Sequence, residues 1–352
     1  MALLIHRRNF ILGATAAAGC AHAPRHTTQL APPDWRRAEA PNPSAARALF
    51  SLLSGLDTTS LMAAYRGRVI ASYGDDSLTS YLASARKSLV SMTFGPSVAR
   101  GAIDLDTTLA AIGFDDLGGL LPIERTATIR QLLMARSGIY HRAANLGDAS
   151  DRAPPRGSVR PGEYFLYNNW DFNALGAIFE KLTGRSLYRA FEEDVARPIG
   201  MQDWKIEVQP VRNDTGESAH PAQHFVLSTR DMARIGLLML QGGRWGRRQV
   251  LPRSWIGLTT RITTPAAEVE RTSPFVAGLG YGYLWWILDP AAHWAPGLSG
   301  AYTASGAFGQ FITVLPALDL VVAHKTQAPS NLNVTPQQYF GEVLPAATRL
   351  VR

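Results

Sequence analysis

A serine and a lysine three residues apart, Ser84 and Lys87, are the residues of this sequence best suited to covalent chemistry. They lie where a strand pattern gives way to a helix pattern, and residues three apart share one face of a helix. The Lys87 amine can then hydrogen-bond the Ser84 hydroxyl and, in a site poor in water, accept its proton. The pair also fits an ordinary helix start, with Ser84 as the N-cap residue and Lys87 in solvent. Only Lys87, among four lysines, has a serine three residues before it.

A second pair of polar residues, Tyr167 and Asn169, precedes a predicted helix. A phenol at this place can exchange a proton with Lys87 and deliver it to a leaving group, while the Asn169 amide can orient Lys87 and a substrate carbonyl. The same pair is equally consistent with a buried tyrosine followed by a helix N-cap.

The segment Ala304-Ser305-Gly306 lies on a predicted strand near the C-terminus and is followed by Ala307 and a further glycine after Phe308. Glycine on a strand suits a backbone that must come close to a ligand, and it also suits a β-bulge. This segment is therefore a candidate third part of the site, beside the Ser84–Lys87 and Tyr167–Asn169 pairs.

Together, Ser84-x-x-Lys87, Tyr167-x-Asn169 and the glycine-bearing strand resemble the three motifs of the serine β-lactamase and penicillin-binding-protein superfamily. The flanking sequence is most similar to its class C-like, β-lactamase-related serine hydrolases, which include esterases, D-amino-acid peptidases and amide hydrolases. The similarity runs from about residue 45 to residue 350.

The resemblance implies an α+β fold of the β-lactamase/transpeptidase type, in which an antiparallel sheet is flanked by terminal helices and the active site lies in the cleft between the sheet and a helical lobe. It implies that Ser84 is the nucleophile and that Lys87 and Tyr167 exchange protons. The backbone N–H groups of Ser84 and Ala307 would form the oxyanion hole, and residues 304–306 would bind substrate.

One position departs from the family pattern. The third motif usually begins with Lys or His, and Ala304 takes that place here. The missing cation would help to anchor a substrate carboxylate, so we expect an esterase or an amidase/D-peptidase-like activity on small neutral substrates. The alternatives are a non-catalytic or very slow penicillin-binding or sensor module, and a weak class C-like β-lactamase.

Composition narrows the remaining classes of function. The chain has 352 residues, 46% of them hydrophobic and 18% charged, which excludes a disordered protein. Its net charge of +7 comes from arginines that are scattered rather than clustered, so no nucleic-acid partner is expected. The eight histidines are dispersed, and we expect neither a metal nor another cofactor.

The N-terminal residues 1–23 have the pattern of an export signal, with Arg7-Arg8 before a short apolar run. The twin-arginine and general secretory routes both remain possible. Cleavage after Ala23 would release the protein into the periplasm, whereas processing before Cys20, the only cysteine, would leave a lipid anchor facing the periplasm. Such a lipid on Cys20 would be the only membrane tether expected.

The remaining chain divides into a linker at 24–43, an α/β lobe built from 44–83 and 261–352, and a mainly helical lobe at 84–260. Local patterns predict helices with N-caps at Ser44, Thr128, Ser228 and Thr335, and the helix that starts at Thr128 is expected to end at Gly138. They also predict a hairpin around Arg66-Gly67, a strand over Tyr281–Ile287, and an irregular specificity loop from Ala143 to Arg160.

Overall fold

The structure is a computed structural model that describes residues 37–145, 149–272, 277–327 and 332–352. The predicted export signal, including Arg7-Arg8 and Cys20, and most of the predicted linker lie outside the described residues. Within the described ranges, none of the helices has the length and apolar character needed to cross a bilayer.

A seven-stranded antiparallel sheet forms the centre of the molecule and ends in two strands of three residues each. Six strands of two residues each form three separate pairs outside it. The strands are β1 (Ser60–Tyr65), β2 (Arg68–Gly74), β3 (Ser80–Tyr81), β4 (Val211–Arg212), β5 (Ala222–Gln223), β6 (Val226–Leu227), β7 (Arg244–Trp245), β8 (Arg248–Gln249), β9 (Leu279–Tyr281), β10 (Trp286–Leu288), β11 (Tyr302–Gly306), β12 (Gln310–Leu315) and β13 (Leu320–Lys325). The order across the large sheet is β2-β1-β13-β12-β11-β10-β9. Strands from the beginning and the end of the chain therefore meet at the β1–β13 pair.

The α-helices are α1 (Pro43–Ser54), α2 (Arg86–Ala99), α3 (Ile129–Leu133), α4 (Asn169–Thr183), α5 (Leu187–Phe191), α6 (Thr229–Leu240), α7 (Arg253–Thr259), α8 (Ala266–Thr272), α9 (Pro336–Gln338) and α10 (Leu344–Thr348). Helices α2, α4 and α5 pack on one another, and α3 packs on α4. This group forms the helical lobe beside the sheet, and α2 also contacts β11.

Helices cover both faces of the sheet. On one face α6 lies across β1, β12 and β13, where a Cβ on Gly236 would be 2.4 Å from Val321 Cγ1. On the other face the C-terminal helices pack with α1, and the Phe311 ring stacks on Tyr339 at 3.8 Å between centroids. The α6 segment falls in the range predicted for the helical lobe but packs on the sheet. The architecture as a whole confirms the predicted α+β class.

Several local predictions need correction. The stretch predicted as one strand, Tyr281–Ile287, is a hairpin, because Leu284 has a φ of +61° and turns the chain between β9 and β10. Helix α3 starts at the predicted cap, Thr128, but ends at Leu133 rather than near Gly138. Ala135 has a φ of +55°, which is incompatible with a continuing helix.

The first helix also begins earlier than its sequence pattern indicates. Pro43, assigned to the linker, is the first residue of α1, and the Asn42 side chain accepts the Ala45 N–H as the cap. Ser44, the expected cap, instead donates its hydroxyl to Asn42 Oδ1 at 2.7 Å.

Candidate active site

The nucleophile candidate lies in a tight turn that connects β3 to α2. Residues Ala83–Ala85 form one turn of 3₁₀ helix, and Ala83 has a φ of +48° that is unfavourable for a residue with a Cβ. The turn is held by backbone hydrogen bonds from Leu82 N to Phe225 O and from Ala85 N to Leu82 O, at 2.9 and 3.1 Å. Ser84 is left half-buried at the surface of the cleft, two residues before Arg86, the buried first residue of α2.

Lys87 joins two of the predicted catalytic groups. Its Nζ donates to Ser84 Oγ at 3.1 Å and to Tyr167 Oη at 2.8 Å. Lys87 and Tyr167 have exposed fractions of only 2% and 3%. The structure thus brings together, within hydrogen-bond distance, a hydroxyl, an amine and a phenol that are separated by up to 83 positions in the sequence, which permits proton exchange along the chain Ser84–Lys87–Tyr167.

Aromatic rings surround the hydrogen-bonded groups of Lys87 and Tyr167. Lys87 Nζ is 4.0 Å from the ring centroid of Tyr167 and 4.5 Å from that of Phe172. The Tyr167 ring also packs on Trp286 at 5.1 Å and meets Tyr281 edge-on at 6.0 Å. Tyr281 and Trp286 belong to the β9–β10 hairpin, so an edge of the sheet fixes the phenol that the helical lobe supplies.

The third predicted segment, on β11, approaches the serine turn with its backbone. A Cβ added to Gly306 would lie 2.3 Å from Leu82 O and 2.9 Å from Ala85 N, so only glycine fits between β11 and the turn. Ala307, the predicted second oxyanion donor, follows directly and is exposed.

The two residues before Gly306 point in opposite directions. Ala304 shares the face of Gly306 and is fully buried, so a substrate could reach its methyl group only if neighbouring atoms moved. Ser305 is paired with Phe311, and its side chain therefore lies on the face covered by the C-terminal helices. The contact of this segment with the site is made mainly by its backbone at Gly306.

Asn169 anchors a loop beside the site. Its Nδ2 donates to Asn145 O at 2.8 Å, and one helical turn later Asn173 Nδ2 donates to Ala144 O at 2.9 Å. The helix N-cap is Asn168, whose side chain accepts the Asp171 N–H. Asn169 thus fixes the start of the predicted specificity loop, a role that the sequence did not indicate.

A polar cluster for which the sequence gives no local signal also contacts this loop, at Asn145. The Tyr81 hydroxyl and Asn145 Nδ2 lie 3.3 and 3.2 Å from His224 Nε2, and the Tyr81 and His224 ring centroids are 4.8 Å apart. Burial, together with the positive charges of Arg86, Arg212 and Lys87, lowers the pKa of His224 to about 2, so this imidazole is neutral at physiological pH. No local sequence signal links His224 to Tyr81, because their contact depends on the pairing of β3 with β6.

Within residues 37–145, 149–272, 277–327 and 332–352, no group of three or more His, Cys, Asp or Glu side chains is placed to hold a metal ion.

With this geometry in place, comparison with known proteins decides the family. The family model described as beta-lactamase matches residues 46–335, most of the chain. The chain belongs to the β-lactamase family. The members of this family are serine hydrolases, and the Ser-x-x-Lys turn with its tyrosine partner agrees with that chemistry.

Two solved structures show how far the β-lactamase-family fold extends along the chain. One is EstCE1, a hydrolase with promiscuous acyltransferase activity, at a TM-score of 0.63 and 15% identity over 88% of this chain and 97% of that one. The other is a novel penicillin-binding protein homologue from Caulobacter crescentus, at a TM-score of 0.61 and 16% identity over 88% and 95% of the two chains. At these identities the likeness concerns the fold alone.

Among curated proteins, this β-lactamase-family chain is 29% identical over 158 residues to monacolin J acid methylbutanoyltransferase from Aspergillus terreus. The match covers 36% of this chain and only 38% of that protein.

Proposed function

We propose that the protein hydrolyses small esters or amides through an acyl-enzyme formed on Ser84. The observation that carries this proposal is the position of Lys87 Nζ, within hydrogen-bond distance of both Ser84 Oγ and Tyr167 Oη. A buried amine that contacts the nucleophile on one side and a phenol on the other is a proton acceptor with a ready route for the proton.

In acylation, Ser84 Oγ attacks the substrate carbonyl carbon while its proton passes to the Lys87–Tyr167 pair. The backbone N–H groups of Ser84 and Ala307 hold the oxyanion of the tetrahedral intermediate. The bond to the leaving group then breaks, and the Lys87–Tyr167 pair protonates the departing alcohol or amine. In deacylation, a water gives a proton to the same pair and attacks the acyl carbonyl. Ser84 recovers its proton as the acid leaves.

The substrate class follows from what the third motif lacks. Ala304 offers no charge, so a carboxylate next to the scissile bond would gain no charge-assisted hydrogen bond from this position. We therefore propose that the group next to the scissile carbonyl is neutral. Hydrolysis of p-nitrophenyl butyrate by the purified wild type, and its loss in Ser84→Ala with an unchanged melting temperature, tests the proposal; an unchanged rate in the variant contradicts it.

Acyl transfer to an alcohol is a second candidate, favoured by the similarity to the Aspergillus terreus acyltransferase. The first half of the reaction is the same, but an alcohol rather than water takes the acyl group from Ser84. Adding a small alcohol during turnover separates the two: a transferase forms the new ester at the expense of free acid. A penicillin-binding or sensor module would instead hold a fluorescent penicillin without turnover.

We also propose that the protein is exported, on the pattern of residues 1–23. Replacement of Arg7 and Arg8 by lysine should leave an unprocessed precursor if the twin-arginine route is used, whereas normal processing would favour the general secretory route. The mass of the mature N-terminus then distinguishes lipid on Cys20 from cleavage after Ala23.

A further inference from the structure

An arginine lies beside the cleft and is not used by the proposed reaction. Arg212, on β4, is exposed, and its guanidinium carbon is 5.6 Å from the centroid of the Tyr81 ring. Tyr81 is half-buried, and its ring also packs on His224. The ring therefore gives Arg212 a fixed support at the surface, through a cation–π contact.

The charge near this support is positive. The positive charges of Arg86, Arg212 and Lys87 add to burial in lowering the pKa of His224. Burial raises the pKa of Tyr81, and the charges of Arg86 and Arg212 oppose that rise. Arg86 is buried and donates to Asn173 Oδ1 at 2.8 Å, and Lys87 is held by Ser84 and Tyr167. Among the described residues no carboxylate forms an ion pair with Arg212. Of these cations, Arg212 is thus the one whose charge faces solvent.

The arginine is close to the nucleophile but not beside it. Tyr81 is three residues before Ser84, so their Cα atoms are at most about 11 Å apart. The guanidinium contacts the Tyr81 ring, whereas Ser84 Oγ is hydrogen-bonded to Lys87 Nζ. We therefore expect several atoms to separate an anionic group on Arg212 from the carbonyl that Ser84 attacks.

We propose that Arg212 and Tyr81 form a subsite that binds a carboxylate at the far end of the substrate. The substrate class is then an ester or amide that is neutral around the scissile bond and carries a carboxylate on a flexible chain. This inference rests on the proposed function. It makes Arg212, rather than a residue of the third motif on β11, the group that selects for a negative charge on the substrate. The guanidinium recognises the carboxylate by charge-assisted hydrogen bonds, and the chain lies along the Tyr81 ring.

The test uses the full-length protein and two matched sets of esters. One set is the p-nitrophenyl monoesters of adipic, suberic and sebacic acids, and the other is the p-nitrophenyl alkanoates of equal chain length. We expect Arg212→Gln to lower kcat/KM about three- to ten-fold for the carboxylate esters, at an optimum chain length, and to leave the alkanoates unchanged. The advantage of the wild type should shrink as salt is added, because the contact is exposed.

Two further variants make the test specific. Arg247→Gln removes another exposed arginine, from the β7–β8 turn, and should change neither set. Arg212→Glu should reverse the preference, so that p-nitrophenyl 6-aminohexanoate becomes a better substrate than the carboxylate esters. Both variants should keep the wild-type melting temperature.

The outcomes separate the subsite from the reaction itself. Equal loss on both sets of esters in Arg212→Gln, or equal effects of Arg212→Gln and Arg247→Gln, would overturn the subsite while leaving the hydrolase intact. Absence of turnover of every ester by the wild type would overturn the proposed function, and the subsite with it.

Discussion

Replacement of Gly306 by alanine should impair catalysis by moving the serine turn. The added Cβ would lie 2.3 Å from Leu82 O and 2.9 Å from Ala85 N, the residues that flank Ser84 and its neighbour Ala83. Non-bonded heavy atoms settle at about 3.5 Å, so β11 and the turn must separate by about 1 Å. Both contacts are with backbone atoms, which cannot move aside as a flexible side chain does.

A displacement of about 1 Å within a catalytic site costs on the order of 100-fold in rate, and overpacking costs about 1–3 kcal/mol of folding free energy. We therefore expect kcat/KM for p-nitrophenyl butyrate to fall by roughly two orders of magnitude while the protein stays folded. Gly257→Ala is the control, because Gly257 lies in α7 and has no atom within 4 Å of an added Cβ. A Gly306→Ala enzyme with wild-type kcat/KM would refute the inferred contact between β11 and the serine turn.

Asn169, Asp171 and Ala304 can each be tested by a separate measurement. Asn169→Ala should leave the Asn145 carbonyl without its 2.8 Å donor and lower the free energy of unfolding, measured by chemical denaturation, by about 1–3 kcal/mol. The variant should raise KM more than it lowers the rate of Ser84 labelling. Unchanged stability and KM would contradict the anchoring role. Burial raises the pKa of Asp171 from 3.8 to about 8, so the wild type should lose stability as pH rises from about 4 to 8. Asp171→Asn should remove this pH dependence. Wild-type and Asp171→Asn stabilities that change with pH in parallel would contradict the prediction. The wild type should hydrolyse p-nitrophenyl butyrate far better than nitrocefin, because Ala304 supplies no cation; β-lactamase-like turnover of nitrocefin would contradict this explanation.

Local sequence patterns predicted those features that depend on a few neighbouring residues. Thr128 and Ser228 cap α3 and α6, and Thr335 caps α9, because a short hydroxyl side chain satisfies the first N–H groups of a helix wherever the helix packs. The turn at Arg66-Gly67 connects β1 and β2, with φ values of +48° and +73°. Ser84, Lys87 and Tyr167 could be placed in one site because their spacing and order resemble a known set of motifs.

Features that depend on tertiary pairing could not be predicted in this way. The run of aromatic residues from Tyr281 to Ile287 reads as one strand, but Gly282 packs against Thr259 O and Leu284 turns the chain, which a single-strand pattern does not reveal. The neighbours of His224 come from β3 and from the loop at Asn145, more than 70 positions away in the sequence. Tyr81 and His224 come together only in the folded chain, where β3 pairs with β6.

We propose that Ser84 forms the acyl-enzyme with Lys87 and Tyr167 as its proton carriers. The most direct measurement is labelling of the wild type, Ser84→Ala and Lys87→Ala with a fluorophosphonate, followed by mass mapping of the modified peptide. We expect one adduct, on Ser84, in the wild type, none at this peptide in Ser84→Ala, and labelling slowed by orders of magnitude in Lys87→Ala. An adduct on another serine, or a Lys87→Ala variant that labels at the wild-type rate, would contradict these catalytic roles.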